Sequence, residues 1–181
     1  MIREVLRMGD PRLLQRSQEV GVFGTPELEA LLQDMRDTMA HLNGAGLAAP
    51  QIGVGLRVFT YHVEDDHGHL INPSLDLSDE EETGEEGCLS IPGLAFPTKR
   101  ALRAVAKGFN MHGEPVTLTG TSLLARCAQH ETDHLDGVLF IDRLDPEQRK
   151  LAMKAIREAE WFGEPAPVVK ASPHPTLGEA R

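Results

Sequence analysis

Aromatic residues are scarce in this chain of 181 residues, which has six Phe, one Tyr and one Trp. Its core must therefore rest on Leu, Val, Ile, Ala and Met. A chain of this length folding as one domain buries roughly two thirds of its surface. Cationic side chains are outnumbered, with 18 Lys and Arg against 28 Asp and Glu and a formal charge of -10. Phosphate backbones are held mainly by Lys and Arg, so specific nucleic-acid binding is not expected. No apolar run reaches the roughly 18 residues that span a bilayer, and Met1 to Leu6 contains no apolar stretch of signal length. No membrane partner and a cytoplasmic location are expected. Only two cysteines are present, Cys88 and Cys127. That excludes a disulfide scaffold, and without an export signal a thiol ligand or buried thiol is expected instead. There is no internal repeat and no strand-helix alternation of the doubly wound kind.

What is present reads as α+β. Thr25-Pro26-Glu27 opens a helix as N-cap, first helical residue and first-turn acid. Leu28, Leu31, Leu32, Met35 and Met39 follow at helical spacing toward a core, and Asn43-Gly44 close it. Strands are expected over 56–62, 70–75 (interrupted at Asn72-Pro73), 102–109 and 115–118. Brief turns between them predict antiparallel pairing. Between Asp76 and Glu86, seven of eleven residues are acidic, which predicts a solvated loop or edge strand. A second helix starts near Thr121 or Ser122, with Leu123, Leu124, Cys127, His130 and His134 inward, and stops at Gly137. A third starts at Asp145-Pro146-Glu147 and runs to about Glu160. Residues 1–163 are expected to form one catalytic metallohydrolase domain, followed over 164–181 by a flexible tail rich in Pro, Ala and Gly.

The second helix carries His130-Glu131-Thr132-Asp133-His134. Imidazoles at i and i+4 share a helix face and can bind one metal ion. Glu131, beside the first ligand, is placed to take a proton from a water which that ion acidifies. Downstream acids Glu147, Glu158 and Glu160 are available as a third ligand but fall on an apparent surface helix. Cys88, within Glu86-Gly87-Cys88-Leu89-Ser90, is the better candidate. Cys88, His130 and His134 leave the fourth position of a tetrahedral ion open. Gly44-Ala45-Gly46-Leu47-Ala48-Ala49-Pro50-Gln51 offers close backbone approach at two glycines and an amide donor at Gln51. It is no phosphate loop, because no Lys-Ser/Thr pair follows.

These three segments together resemble the peptide deformylase family: GxGxAAPQ over 44–51, EGCLS over 86–90 and QHExDHLxG over 129–137. The resemblance runs from Asp10-Pro11 to about Leu144. It implies small, mainly antiparallel sheets packed around a central HExxH-bearing helix. It implies removal of the N-formyl group from formylmethionyl nascent peptides, with Glu131 as base and then proton donor to the amine. Cys88, His130 and His134 would hold one divalent metal, Fe(II) in cells, with Zn(II), Ni(II) or Co(II) able to substitute. Gln51 and the Leu89 N–H would bind the developing oxyanion. A methionine pocket is implied at Gly44, Ala45, Gly46, Glu86, Leu123, Arg126, Cys127 and His130, with the peptide main chain along Gly44 to Leu47. The family's work on nascent chains implies transient contact with the ribosome, and a monomer is the default expectation.

Some roles stay open at this level. Asp133 either orients the His134 ring or pairs with an arginine, and Gln129 is implied to support the site. Arg126 either covers the pocket with its stem or points to solvent. Where many members carry an arginine that meets the peptide, this chain has Gly93-Leu94-Ala95-Phe96-Pro97, a form resembling that of high-GC Gram-positive bacteria. Arg100 then either pairs with Glu86 or assists the peptide. Two rivals share the HExxH: a peptide-bond metalloprotease with a downstream ligand, and a non-catalytic metal-binding module with four protein ligands.

Overall fold

A computed structural model describes residues 1–164 of the chain. The expected tail therefore lies, beyond Glu164, outside the described residues. Helix α1 spans Pro26–His41, with the Thr25 hydroxyl accepting the Leu28 N–H at 3.1 Å and Asn43 turning out of it at φ 53°. Strands β1 (Gly46–Ala48), β2 (Val58–Val63), β3 (Asp66–Leu77), β6 (Arg103–Phe109) and β7 (Pro115–Thr121) form a five-stranded sheet in the order β1-β2-β3-β6-β7. Every pairing in it is antiparallel. Strands β4 (Glu81–Cys88) and β5 (Ile91–Ala101) make a separate two-stranded hairpin. Helix α2 covers Leu123–Leu135 and α3 covers Pro146–Glu158.

The two-residue period of the strands fills two cores. Leu47, Val58 and Ile71 pack with Leu28, Leu31, Leu32, Met35 and Met39 of α1 on one face. Their neighbours Ala48, Phe59 and Leu70 pack with Ala128 and Leu135 of α2 on the other. A third cluster joins Leu6, Leu13, Ile91 and Phe140 to Ala152 and Ile156 of α3. The break expected at Asn72-Pro73 is a shift of register inside one longer strand, between Ile71 and Ser74. Asn72 takes φ 52° there, and its side-chain amide both donates to and accepts from the Val20 backbone. No helix among the described residues is long and apolar enough to cross a membrane.

Strands β4 and β5, like the short β1, are elements the hydropathy pattern did not announce. Acidic and glycine-rich β4 has no apolar alternation, and β5 contains Pro92 and Pro97. A two-stranded hairpin tolerates both because each strand keeps a free edge for prolines and charges. The acidic run is thus largely an exposed hairpin strand, with one exception: Glu86 is buried.

Candidate active site

Helix α2 is buried from Ala125 to Leu135 apart from half-buried Cys127, and most of what it buries is polar. Buried polar atoms require partners, and nearly every one here has one. Gln129 donates to the carbonyls of Ala101 and Ala125 and accepts the Ala101 N–H, lacing α2 to the end of β5. Asp133 accepts from Arg100 at 2.6 Å and from Arg143 at 2.8 and 3.1 Å. Asp133 is therefore an arginine partner and not the group that orients a ligand ring. The orphans among the described residues include Glu131 Oε2 and His134 Nδ1.

The rings of His130 and His134 lie on one face, centroids 5.0 Å apart. Cys88 reaches them from the end of β4, its Sγ 3.3 Å from His134 Nε2. Ligand atoms of Cys88, His130 and His134 all lie within 4.8 Å of one another. A sulfur and a nitrogen sharing one tetrahedral ion sit about 3.6 Å apart, so the thiol and two imidazoles fit such an ion. Among the described residues no downstream acid joins them. The Ser90 N–H donates to Cys88 Sγ at 3.4 Å and helps fix the sulfur in place.

Glu86 holds His130 in place. Its Oε2 is 2.7 Å from His130 Nδ1. A carboxylate only accepts, so Nδ1 carries the proton and Nε2 is left facing Cys88 and Glu131. Arg100 grips Glu86 with Nε at 3.0 Å and Nη2 at 2.7 Å, and Arg126 Nη1 adds a third contact at 3.1 Å. Burial works against the Glu86 charge, but hydrogen bonds from His130 and Arg100 outweigh it and hold the carboxyl at about 2. The position read from sequence as a pocket residue lines the cavity and is also the acid that orients His130. Its sequence signals were its place at the head of Glu86-Gly87-Cys88-Leu89-Ser90 and the alternative that pairs it with Arg100.

Burial pushes the Glu131 carboxyl up to about 7. Its Oε1 is 3.9 Å from His130 Nε2. Burial also opposes charge on His130, yet hydrogen bonds to Cys88 and Glu86 keep its pKa well above the ordinary range. His134 is driven well below it by burial and by His130. The thiol and acids around these rings thus favour positive charge, which is an environment suited to a bound cation. Gln51 anchors its Oε1 on the Ala48 N–H at 2.9 Å. Its Nε2 is 3.0 Å from Ser90 Oγ and 3.6 Å from Cys88 Sγ, so one amide hydrogen faces the ligand set.

A cavity of about 600 Å³ opens beside these groups. Gly44, Ala45, Gly46, Gln51, Glu86, Leu89, Leu123, Arg126, Cys127, His130 and Glu131 line it. Leu123 is half exposed at 56% and stands at the rim instead of packing inward. Leu47 does not line it, because the strand period turns its side chain into the α1 core. His62, Val63, Glu64 and Glu85 also line the cavity, and no sequence motif pointed to them. Arg126 neither points to solvent nor merely covers the pocket. It is buried, with Nη1 2.7 Å from the Thr98 carbonyl and Nη2 3.0 Å from the Glu82 carbonyl. Arg100 is likewise consumed by Glu86 and Asp133 and does not reach the cavity.

Gly46 serves the base. A Cβ there would lie 2.6 Å from Glu131 Oε1 and 2.8 Å from its Cδ and Cγ. The His62 N–H donates to the Ala45 carbonyl at 2.8 Å. Antiparallel alternation then sends the N–H and C=O of Gly46 off the free edge of β1.

Residues 2–150 match the family model described as Polypeptide deformylase. A peptide deformylase of Acidothermus cellulolyticus is 64% identical over 179 residues, covering 99% of this chain and 98% of that protein. The crystal structure of a peptide deformylase from Legionella pneumophila superposes with a TM-score of 0.81 at 39% identity, over 87% of this chain and 94% of that one. A Met-Ala-Ser-bound class I type b peptide deformylase from Acinetobacter baumannii gives 0.77 at 31% identity, over 80% and 99%.

Proposed function

This chain belongs to the polypeptide deformylase family, and from that membership we propose how its residues divide the work of removing the N-formyl group from nascent peptides. The net reaction adds water to the formyl carbon, breaks its bond to nitrogen and releases formate and a free amine. The observation that carries the assignment of roles is the meeting of Cys88, His130 and His134 beside a buried Glu131 with an unpartnered oxygen.

Cys88, His130 and His134 hold one divalent cation. When bound, it supplies Lewis acidity, lowering the pKa of a water and polarising the formyl carbonyl. Fe(II) is the proposed ion in cells, and the same sulfur and nitrogen donors accept Zn(II), Ni(II) or Co(II). Glu131 takes the proton of the attacking water and returns it to the departing amine. A carboxyl raised to about 7 is matched to both halves of that transfer. The Gln51 amide hydrogen that faces Cys88 and the Leu89 N–H receive the negative charge that builds on the formyl oxygen. Glu86 keeps His130 aimed throughout. The methionine side chain occupies the cavity between Ala45, Leu123 and Cys127, and the peptide main chain pairs with the free β1 edge at Gly46. A relative described as bound to Met-Ala-Ser supports a methionyl peptide as the occupant.

The site draws on β1, β4, β5 and α2 together, which supports residues 1–163 as one catalytic unit. A monomer in the cytoplasm, meeting formylated chains in transient contact with the ribosome, suffices for the reaction.

The test is formate release from formyl-Met-Ala-Ser by Fe(II)-loaded protein handled without oxygen, beside Glu131→Ala. Fast release by wild type and an inactive but metallated variant are expected. A fully metallated wild type that releases no formate would refute the assignment.

A further inference from the structure

We propose that Arg126 is a positioning residue for the metal centre, clamping the hairpin that carries Cys88 onto the helix that carries both histidines. The proposal rests on the metal-site reading above. From one position on α2, its guanidinium makes three kinds of contact. It donates to Glu86, which in turn holds the His130 ring. It donates to the Glu82 carbonyl on β4 and to the Thr98 carbonyl on β5. Cys88 sits at the far end of that same β4. The distance between the thiol and the imidazoles is set by how the hairpin docks on α2, and Arg126 is the side chain that bonds to both hairpin strands.

The surroundings are shaped for this group. Gly84 lies on β4 opposite Thr98. A Cβ at Gly84 would come within 3.3 Å of Arg126 Nη2 and 3.5 Å of its Cζ, so the guanidinium lies close over the glycine, with room for a side chain no larger than a methyl group. Arg126 is only 7% exposed although it also lines the substrate cavity. With every bond made to Glu86 or to a hairpin carbonyl, its stem forms wall and its charge is spent on the scaffold. A fixed planar fork suits such a multi-point contact, which a lysine cannot reproduce.

Arg126→Met keeps the length and apolar body of the stem and removes all three side-chain hydrogen bonds. With Co(II)-loaded protein, we expect release of the metal to a chelator to speed up about tenfold or more, as for lost ligand-orienting contacts. The thiolate-to-cobalt absorption band should shift, kcat should fall by a similar factor, and KM for formyl-Met-Ala-Ser should stay within about twofold of wild type. Arg126→Lys should fall between the two. A raised KM with metal release, spectrum and kcat unchanged would make Arg126 pocket wall alone and overturn the proposal. Should Arg126→Met fail to fold, Gly84→Val, whose branched side chain must push the guanidinium off the hairpin carbonyls, leaves Arg126 in place. Faster cobalt release from that variant supports the clamp, and wild-type release overturns it. A wild type that binds no cobalt would instead overturn the metal-site reading itself.

Discussion

Substituting Gly46 by alanine tests the geometry of the proposed base without touching Glu131 or any ligand. The added Cβ would fall 2.6 Å from Glu131 Oε1 and 2.8 Å from Cγ and Cδ, where ordinary contact begins at about 3.4 Å. Either the carboxylate or the β1 edge must therefore shift by about 0.8 Å. Glu131 is 3% exposed on a buried helix, so the side chain has little room to rotate aside. Misplacing a reacting group by about 1 Å costs on the order of 10²-fold in rate, or about 2.7 kcal/mol of transition-state stabilisation. Overpacking of this kind also costs about 1–3 kcal/mol of stability. Expected for Gly46→Ala is a kcat about 10²-fold lower, with metal content equal to wild type and the fold intact by circular dichroism. Formate release and metal analysis on one preparation read all three. A kcat within about twofold of wild type would refute the argument that Gly46 is small because Glu131 needs the space.

Glu86→Gln should change the acid response. Because the folded carboxyl sits at about 2 and not at the ordinary 4.5, it contributes about 3 kcal/mol, fully present above pH 4.5 and lost as pH falls toward 2. In urea unfolding of metal-stripped protein, the stability gap between wild type and Glu86→Gln should shrink by more than half between pH 6 and pH 3; a constant gap would contradict the ion-pair account. Cys88→Ala should lose metal affinity by more than the roughly 10–100-fold seen when an orienting contact is removed, measured by chelator competition. Wild-type affinity in that variant would put the third ligand elsewhere. Leu32→Ala, at a fully buried position of the α1 core, should cost about 2–5 kcal/mol in urea unfolding and leave metal stoichiometry unchanged. A loss below about 1 kcal/mol would mean that this face of α1 is not the packed core described.

The proposed metal ligands and base, and four of the five sheet strands, are local signals, which is why the chain betrays them. His130 and His134 share a face because any helix repeats every 3.6 residues, whatever surrounds it. Thr25-Pro26 and Gly137 punctuate helices through their own backbone chemistry. The hairpin of β4 and β5 was not legible, since its residues neither alternate in hydropathy nor avoid proline. Their pairing is rewarded by contacts to α2 that lie some 30 to 45 positions along the chain.

The chain by itself determined the donor set and its chemistry, together with the α+β class and the family, because residue type and spacing along a helix survive without tertiary context. Only the folded structure decided which charges meet. It gave Glu86 to His130, Arg100 to both Glu86 and Asp133, and Arg126 to the hairpin carbonyls. It also turned Leu47 into the α1 core and set Gly46 against Glu131. A buried charge must take whatever partner the packing of distant segments delivers, and that packing is a property of the whole fold and not of any motif in it.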